Sequence, residues 1–355
     1  MANQLIPLLL STILFATSHA APGLEQYGAD GNQVSVSGIS AGGFMAVQVH
    51  VAYSASIMGV GVVAGGPYWC ARGNLMYALN QCMETGDINV DYLAGFATSY
   101  ALGFNSIDDP GNMANDKMYV FGGSRDTVVV QEVSRAAEEY YRHFITDNEN
   151  FLTEYTVPAE HSMVHDVHGN ACGHKGEPYI NNCGYNAAFE MLNHFYGPGL
   201  ERPTANTRQD GVLLEFDQTE FFPNGNAAKE SVANTGYVYV PTGCIDDGSH
   251  CRVHIALHGC LQQYEEIGDQ YTTLSGYNEV AELNDIIVIY PQTIAKPMGG
   301  NPNGCWDWWG YASISYGKIQ NNIMLYDTEK KLNKDMHFRR LLAIRFLFSC
   351  DLLLR

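Results

Sequence analysis

Short apolar strands alternate with helical stretches along this chain, which predicts an α/β protein with a mostly parallel sheet covered on both faces. Three observations carry that expectation. Strand-like and amphipathic segments take turns through most of the sequence, the pattern of a sheet wrapped by its own crossovers. Ile286 to Tyr290 is apolar at every position, as a strand buried on both sides must be. With 46% hydrophobic and 16% charged residues over 355 positions, the chain has ample material for a core.

The elements follow in order. Val34-Ser35-Val36 is a short strand entering Gly38-Ile39-Ser40-Ala41-Gly42-Gly43, and a helix is expected from Phe44 to Ser56. Gly59 to Ala64 is small and β-branched and reads as a buried strand. Lys117 to Phe121 is another, ending in Gly122-Gly123-Ser124-Arg125-Asp126, with an amphipathic helix over Gln131 to Phe144. Phe151 to Val157 is a strand that ends shortly before His161. Beyond a polar, Pro- and Gly-containing connection from Gly197 to Asp210, strands are expected at Val212 to Phe216, Gly236 to Val240 and Val253 to Leu257. A helix over Tyr277 to Leu283 and the Ile286 to Tyr290 strand complete the series.

The ends differ from this body. Residues 1–20 read as a signal peptide, with an apolar run from Leu5 to Phe15 and small residues in Ser18-His19-Ala20 for cleavage near Ala20. Residues 21–325 are expected to form a single catalytic domain, and residues 326–355 a basic, then apolar tail. Export agrees with the nine cysteines. Proximity in sequence pairs Cys70 with Cys82, Cys172 with Cys183 and Cys244 with Cys251, and leaves Cys260 and Cys305; other connectivities stay open, and Cys350 in the tail is the odd one. The formal net charge of −19 argues against nucleic acid and anionic membranes as partners and favours an uncharged substrate.

The chemistry centres on Gly38-Ile39-Ser40-Ala41-Gly42, a G-x-S-x-G motif between a strand and a helix. In that setting a sharp turn strains the serine and exposes its Oγ above the sheet, and glycines on either side remove Cβ atoms that would collide. The amide of Ala41 then faces a developing oxyanion. A nucleophilic serine needs a base and the base an orienting acid. His161 and Asp126, each in a loop just after a strand, supply them in the order Ser, Asp, His; Asp108 and Asp109 are weaker rivals. His161, His165, Asp166, His168, Cys172 and His174 form an alternative metal-binding reading, disfavoured by the glycines around them and by Cys183 as a disulfide partner. Strand Val253 to Leu257 runs into His258-Gly259-Cys260, whose Cys260 amide is the expected second oxyanion donor. In an ordinary α/β-hydrolase that strand precedes the serine turn; here it follows, which implies circular permutation. The expected fold is therefore a circularly permuted α/β-hydrolase with a mostly parallel central sheet flanked by helices. Trp306, Trp308 and Trp309 form an aromatic cluster suited either to a core or to a substrate-facing mouth.

Taken together, Gly38 to Gly43, His258-Gly259-Cys260, Tyr290-Pro291-Gln292 and Asn303-Gly304-Cys305-Trp306-Asp307-Trp308-Trp309 resemble extracellular poly(3-hydroxybutyrate) depolymerases of the single-domain, permuted fungal type. The resemblance runs from about Gly28 to Tyr316. It implies a secreted serine esterase acting on a water-insoluble polyester, with Ser40, His161 and Asp126 as triad, Ala41 and Cys260 as oxyanion donors, and Trp306, Trp308 and Trp309 against the polymer. It implies no metal and no organic cofactor. The family's Phe-Pro-Thr context after the histidine is absent here. A feruloyl or acetylxylan esterase on a related fold is the competing enzyme reading, and a catalytically dead polymer-binding protein the non-enzyme one.

Overall fold

The computed structural model describes residues 21–312, apart from residues 26, 28, 105, 223, 224 and 246–250. The expected signal peptide, most of the basic tail's approach and the tail itself lie outside the described residues. The elements in chain order are β1 (Val34–Ile39), α1 (Ala41–Ala52), β2 (Gly59–Val63), α2 (Leu75–Leu79), α3 (Val90–Phe104), β3 (Lys117–Phe121), α4 (Gln131–Tyr141) and β4 (Phe151–Glu154). There follow β5 (Met163–His165), β6 (Asn170–Ala171), β7 (Ile180–Asn182), α5 (Ala187–Tyr196), β8 (Val212–Asp217) and β9 (Thr235–Val240). The series closes with β10 (Arg252–Leu257), α6 (Tyr264–Ile267), α7 (Gln270–Leu274), α8 (Tyr277–Asn284) and β11 (Ile286–Tyr290).

Eight strands form one sheet in the order β4-β3-β2-β1-β10-β11-β9-β8. From β4 through β11 every pairing is parallel, and β9 and β8 add an antiparallel edge. The sheet is thus mostly parallel, as expected, and short 3-10 helical turns at Gln218–Phe221 and Ala227–Glu230 lie between the two antiparallel edge strands. Strand β10 inserts between β1 and β11, pairing Val34 with Val253 and Gly38 with Leu257. The late strand thus fills the slot beside the serine strand, which is the permutation expected from the motif order.

Alternation along the strands divides the core in two. Met118, Val120, Ile255, Leu257, Ile287 and Ile289 enter one cluster with Phe44 and Val47 of α1 and Val133 and Tyr140 of α4. Their neighbours Tyr119, Phe121, Ala256, Ile286, Val288 and Tyr290 enter the other, with Met191 and Phe195 of α5 and Tyr277 of α8. A strand that feeds two cores has no polar face, hence the unbroken apolar run at Ile286 to Tyr290. Helix α1 is buried along its whole length and begins at Ala41, earlier than expected, because the chain turns into it directly after Ser40. Helices α3 and α5 and the small β5-β7-β6 sheet were not anticipated. A signal for α5 does exist: Asn186 caps it by accepting from the Phe189 amide at 2.9 Å.

Candidate active site

Ser40 joins β1 to α1 with φ 55° and ψ −124°, a region that non-glycine residues occupy only when their surroundings impose it. The imposition is visible on both sides. The Ser40 amide donates to the Val63 carbonyl at the end of β2 (2.9 Å). A Cβ at Gly42 would collide with the carbonyls of Leu257 and His258, so the first turn of α1 lies directly on the end of β10. As the first residue of α1, Ala41 carries one of the amides that a helix leaves without an internal partner.

Parallel strands bring their carboxyl ends to one rim, and hydrogen bonds step along it. The amide of Ala64, after β2, donates to Phe121 of β3 (2.9 Å), and that of Gly122 donates to Glu154 of β4 (3.0 Å). Past β4 the chain returns beside the β3 loop, where Ser124 and Arg125 donate to Val157 and Ala159 at 2.9 and 3.2 Å. This lacing sets His161 against Asp126. His161 Nδ1 lies 2.8 Å from Asp126 Oδ2, and both side chains are nearly buried. A carboxylate can only accept, so Nδ1 carries the hydrogen and Nε2 is left as the basic nitrogen. The other oxygen of Asp126 accepts from the amides of Val128 and Val129 (2.8 and 2.9 Å), so one side chain both caps its loop and orients the imidazole. Glu160, which the sequence reading passed over, braces the pair from behind. Its Oε1 accepts from the Thr127 amide (2.8 Å), the Thr127 hydroxyl (2.9 Å) and the His161 amide (3.1 Å).

The rivals are engaged elsewhere. Asp108 accepts from the Ala55 amide (3.1 Å), and Asp109 caps a turn through the Gly111 amide (2.9 Å). In the metal-binding alternative, Cys172 is bonded to Cys183, and His165 Nδ1 accepts from the amides of Val167 and His168 at 2.9 and 3.1 Å. With that nitrogen taken, His165 keeps its hydrogen on Nε2 and offers no lone pair to a cation.

Four disulfides are formed, Cys70–Cys82, Cys172–Cys183, Cys244–Cys251 and Cys260–Cys305. The last ties the loop after β10 to the tryptophan segment. His258 is fully buried, and desolvation pushes its pKa down to about 4. Neutral, it accepts from the Thr293 amide at Nε2 (3.3 Å) and donates from Nδ1 to the Gly259 carbonyl (2.7 Å), which shapes the His-Gly-Cys turn. Gly259 then lies against the serine, since a Cβ there would stand 3.2 Å from Ser40 Cβ.

The tryptophans separate into two roles. Trp306 is 1% and Trp308 5% exposed, and Trp308 stacks on Phe44 of α1 with centroids 3.9 Å apart. Both are core residues, a correction to the expectation of a wholly substrate-facing cluster. The physical reason is packing: Trp308 stacks on Phe44 of the elbow helix and Trp306 lies against His258, beside the Cys260–Cys305 disulfide. Trp309 is half-buried, packing on Trp308 and Tyr311.

The sheet order, its crossovers and the strained serine turn define an α/β-hydrolase in which the His-Gly-Cys strand comes late in the chain. Comparison with known proteins narrows the class. The chain is 42% identical over 303 residues to a poly(3-hydroxybutyrate) depolymerase of Delftia acidovorans, covering 84% of this chain and 59% of that protein. It is 37% identical over 324 residues to a polyhydroxybutyrate depolymerase of Talaromyces funiculosus, covering 87% of this chain and 90% of the relative. Among solved structures, the PHB depolymerase from Penicillium funiculosum matches with a TM-score of 0.75 at 35% identity, over 85% of this chain and 94% of that one. A PHB depolymerase bearing a serine-to-alanine substitution, complexed with an R3HB trimer, matches with a TM-score of 0.76 at 32% identity, over 93% and 98% of the two chains. No family model matches the chain. The chain belongs to the poly(3-hydroxybutyrate) depolymerase family, and it spans little more than half the length of the Delftia relative.

Proposed function

We propose that this chain is a secreted serine esterase that hydrolyses the ester bonds of poly(3-hydroxybutyrate) or a similar polyhydroxyalkanoate. The observation that carries the reading is the His161–Asp126 pair at the same strand-end rim as the strained Ser40. In the mechanism, Ser40 Oγ attacks the ester carbonyl carbon while its proton passes to His161 Nε2. Amides of Ala41 and Cys260 hold the oxyanion. Collapse breaks the bond to the alkoxy oxygen, which leaves as an alcohol with the proton from His161, and the acyl group stays on Ser40. A water then attacks the acyl carbon and gives its proton to His161; collapse frees the carboxylic acid and returns that proton to Ser40. Asp126 keeps the imidazole in the productive tautomer throughout. The substrate assignment draws on the family and on the R3HB trimer seen with the related depolymerase.

An insoluble polymer must meet the protein surface first. Leu75, Met76 and Leu79 of α2 and Tyr92 of α3 are exposed on the excursion that follows β2. Exposed apolar side chains on this excursion favour contact with a water-insoluble chain. Within the aromatic cluster, Trp309 meets the polymer and Trp306 and Trp308 support the elbow behind it. Secretion is supported by the four disulfides, which persist in an oxidising compartment. The test is clearing of a polymer granule suspension by the wild-type protein. Release of ferulate from arabinoxylan without clearing establishes the carbohydrate esterase instead, and adsorption without clearing or reaction with a serine-directed phosphonate establishes a binding protein.

A further inference from the structure

Gln262 lies two residues beyond Cys260 and is 1% exposed. Its Oε1 accepts from the Gly259 amide at 2.7 Å, and its Nε2 donates to the carbonyls of Pro178 (2.9 Å) and Tyr179 (3.2 Å). One N–H on one side and two carbonyls on the other dictate which amide atom is which, and both Nε2 hydrogens are used. The Tyr179 carbonyl also accepts from the Met163 amide (2.9 Å), two residues after His161. The Tyr179 ring stands edge-on to the His161 imidazole, with centroids 6.4 Å apart. On the other side, Gly259 abuts Ser40 as described. One buried side chain therefore bridges the loop that carries Cys260 and the segment that flanks the imidazole, two parts of the site with no short path between them along the chain.

We infer that Gln262 is a positioning residue for the esterase reaction, holding the 258–260 loop so that the Cys260 amide faces the ester carbonyl oxygen. By taking the Gly259 amide it fixes the His258–Gly259 peptide, and the next peptide, which carries the Cys260 amide, is held at the Gly259 carbonyl by His258 Nδ1. By anchoring to residues 178 and 179 it keeps the oxyanion side in register with the base. The inference rests on the mechanism proposed above. An oxyanion donor acts chiefly on the tetrahedral state, so its misalignment lowers kcat and leaves ground-state binding in place.

The test compares Gln262→Met, which keeps the volume and removes all three hydrogen bonds, with Gln262→Ala, which leaves room for water. Each is assayed on p-nitrophenyl butyrate, beside Ser40→Ala and with circular dichroism and thermal melting as fold controls. In the Met variant kcat is expected to fall by about 10²-fold, the size of one lost oxyanion donor, with KM unchanged. The inhibition constant of butylboronic acid, which forms a tetrahedral adduct on the serine, should rise by the same factor, whereas inhibition by 3-hydroxybutyrate should not move. A folded Met variant with wild-type kcat overturns the inference, as does a loss that appears in KM or in boronate and product inhibition alike. If Met does not fold, the Ala variant is read by the same criteria; if neither folds, Gln262 is a residue of the fold and the inference fails. Activity persisting in Ser40→Ala instead overturns the underlying mechanism, so the two failures are told apart.

Discussion

This sheet carries two sets of serine and histidine residues, and their contrast separates the arrangement proposed to react from a structural one. At the carboxyl end stands Ser40 in a strained turn, with His161 and its carboxylate partner on the same rim. In the middle of the sheet, His254 of β10 lies 2.7 Å from Ser35 Oγ at Nδ1 and 2.7 Å from Ser37 Oγ at Nε2. Ser35 and Ser37 continue to the hydroxyls of Tyr196 and Tyr277, each at 2.7 Å. Burial alone pushes the His254 pKa down to about 3, and among the described residues no carboxylate is hydrogen-bonded to it. A serine bonded to a histidine is therefore not enough. Reactivity needs a carboxylate to hold the tautomer and favour the imidazolium, a strained backbone to present Oγ, and amides nearby for the oxyanion. The inner cluster has a different use. It joins residues 219 apart in sequence and penalises any slip of β10 against β1, which would orphan buried hydroxyls.

The contrast can be broken in four ways. Ser40→Ala should lower kcat on a soluble ester by on the order of 10⁶-fold and abolish granule clearing, whereas Ser37→Ala should leave the rate per folded molecule close to wild type. Equal losses in both, measured as initial rates, would erase the distinction. Asp126→Asn should cost about 10⁴-fold in kcat while the fold persists, because an amide no longer enforces the hydrogen on Nδ1 of His161. His254→Leu is expected to lower stability by about 1–3 kcal/mol, because Ser35 and Ser37 each lose one buried hydrogen bond and keep only the tyrosine partner, with kcat per folded molecule retained; urea denaturation measures the first and active-site-normalised rates the second.

The most general effect is on acid stability. His254 and His258 titrate near 3 and 4 in the folded protein and near 6.5 when unfolded. Their folded pKa values are depressed, so below pH 6.5 the unfolded chain binds the extra protons and stability falls. Each histidine contributes about 1.4 kcal/mol per pH unit between 6.5 and its folded value. Melting temperatures recorded from pH 7 to 4 should decline, and His254→Leu should flatten that slope. A slope unchanged in the variant would mean that His254 is not held neutral by the fold.

Much of the sheet was legible because its strands are short, apolar and bounded by glycine, and β3 and β11 fall where the residues alone place them. The serine turn was legible for a similar reason: local sterics demand Gly38 and Gly42 around Ser40, whatever the rest of the chain does. The Cys pairings close in sequence were readable from proximity. Less was legible where roles depend on distant partners. Glu160 and Gln262 look like ordinary polar residues until the fold brings Thr127 and Pro178 beside them. His254, His258 and His161 are the same residue type after or within similar strands, and only their neighbours distinguish strut from base. The tryptophans illustrate the same limit, since composition cannot tell a ring stacked on Phe44 from one open to solvent.

What the amino-acid order determined by itself was local: the strand and helix periodicities, the tight Gly-Ser-Gly turn and the nearby cysteine pairs, all set by sterics within a few residues. What only the tertiary structure decided was pairing at long range. It set Glu160 behind Asp126 and His161, bridged the Gly259 loop to residues 178 and 179 through Gln262, and pushed the pKa values of His254 and His258 down by burial. The physical reason is that desolvation and hydrogen bonding act through space, so their sign and size are undefined until the chain has closed around each group.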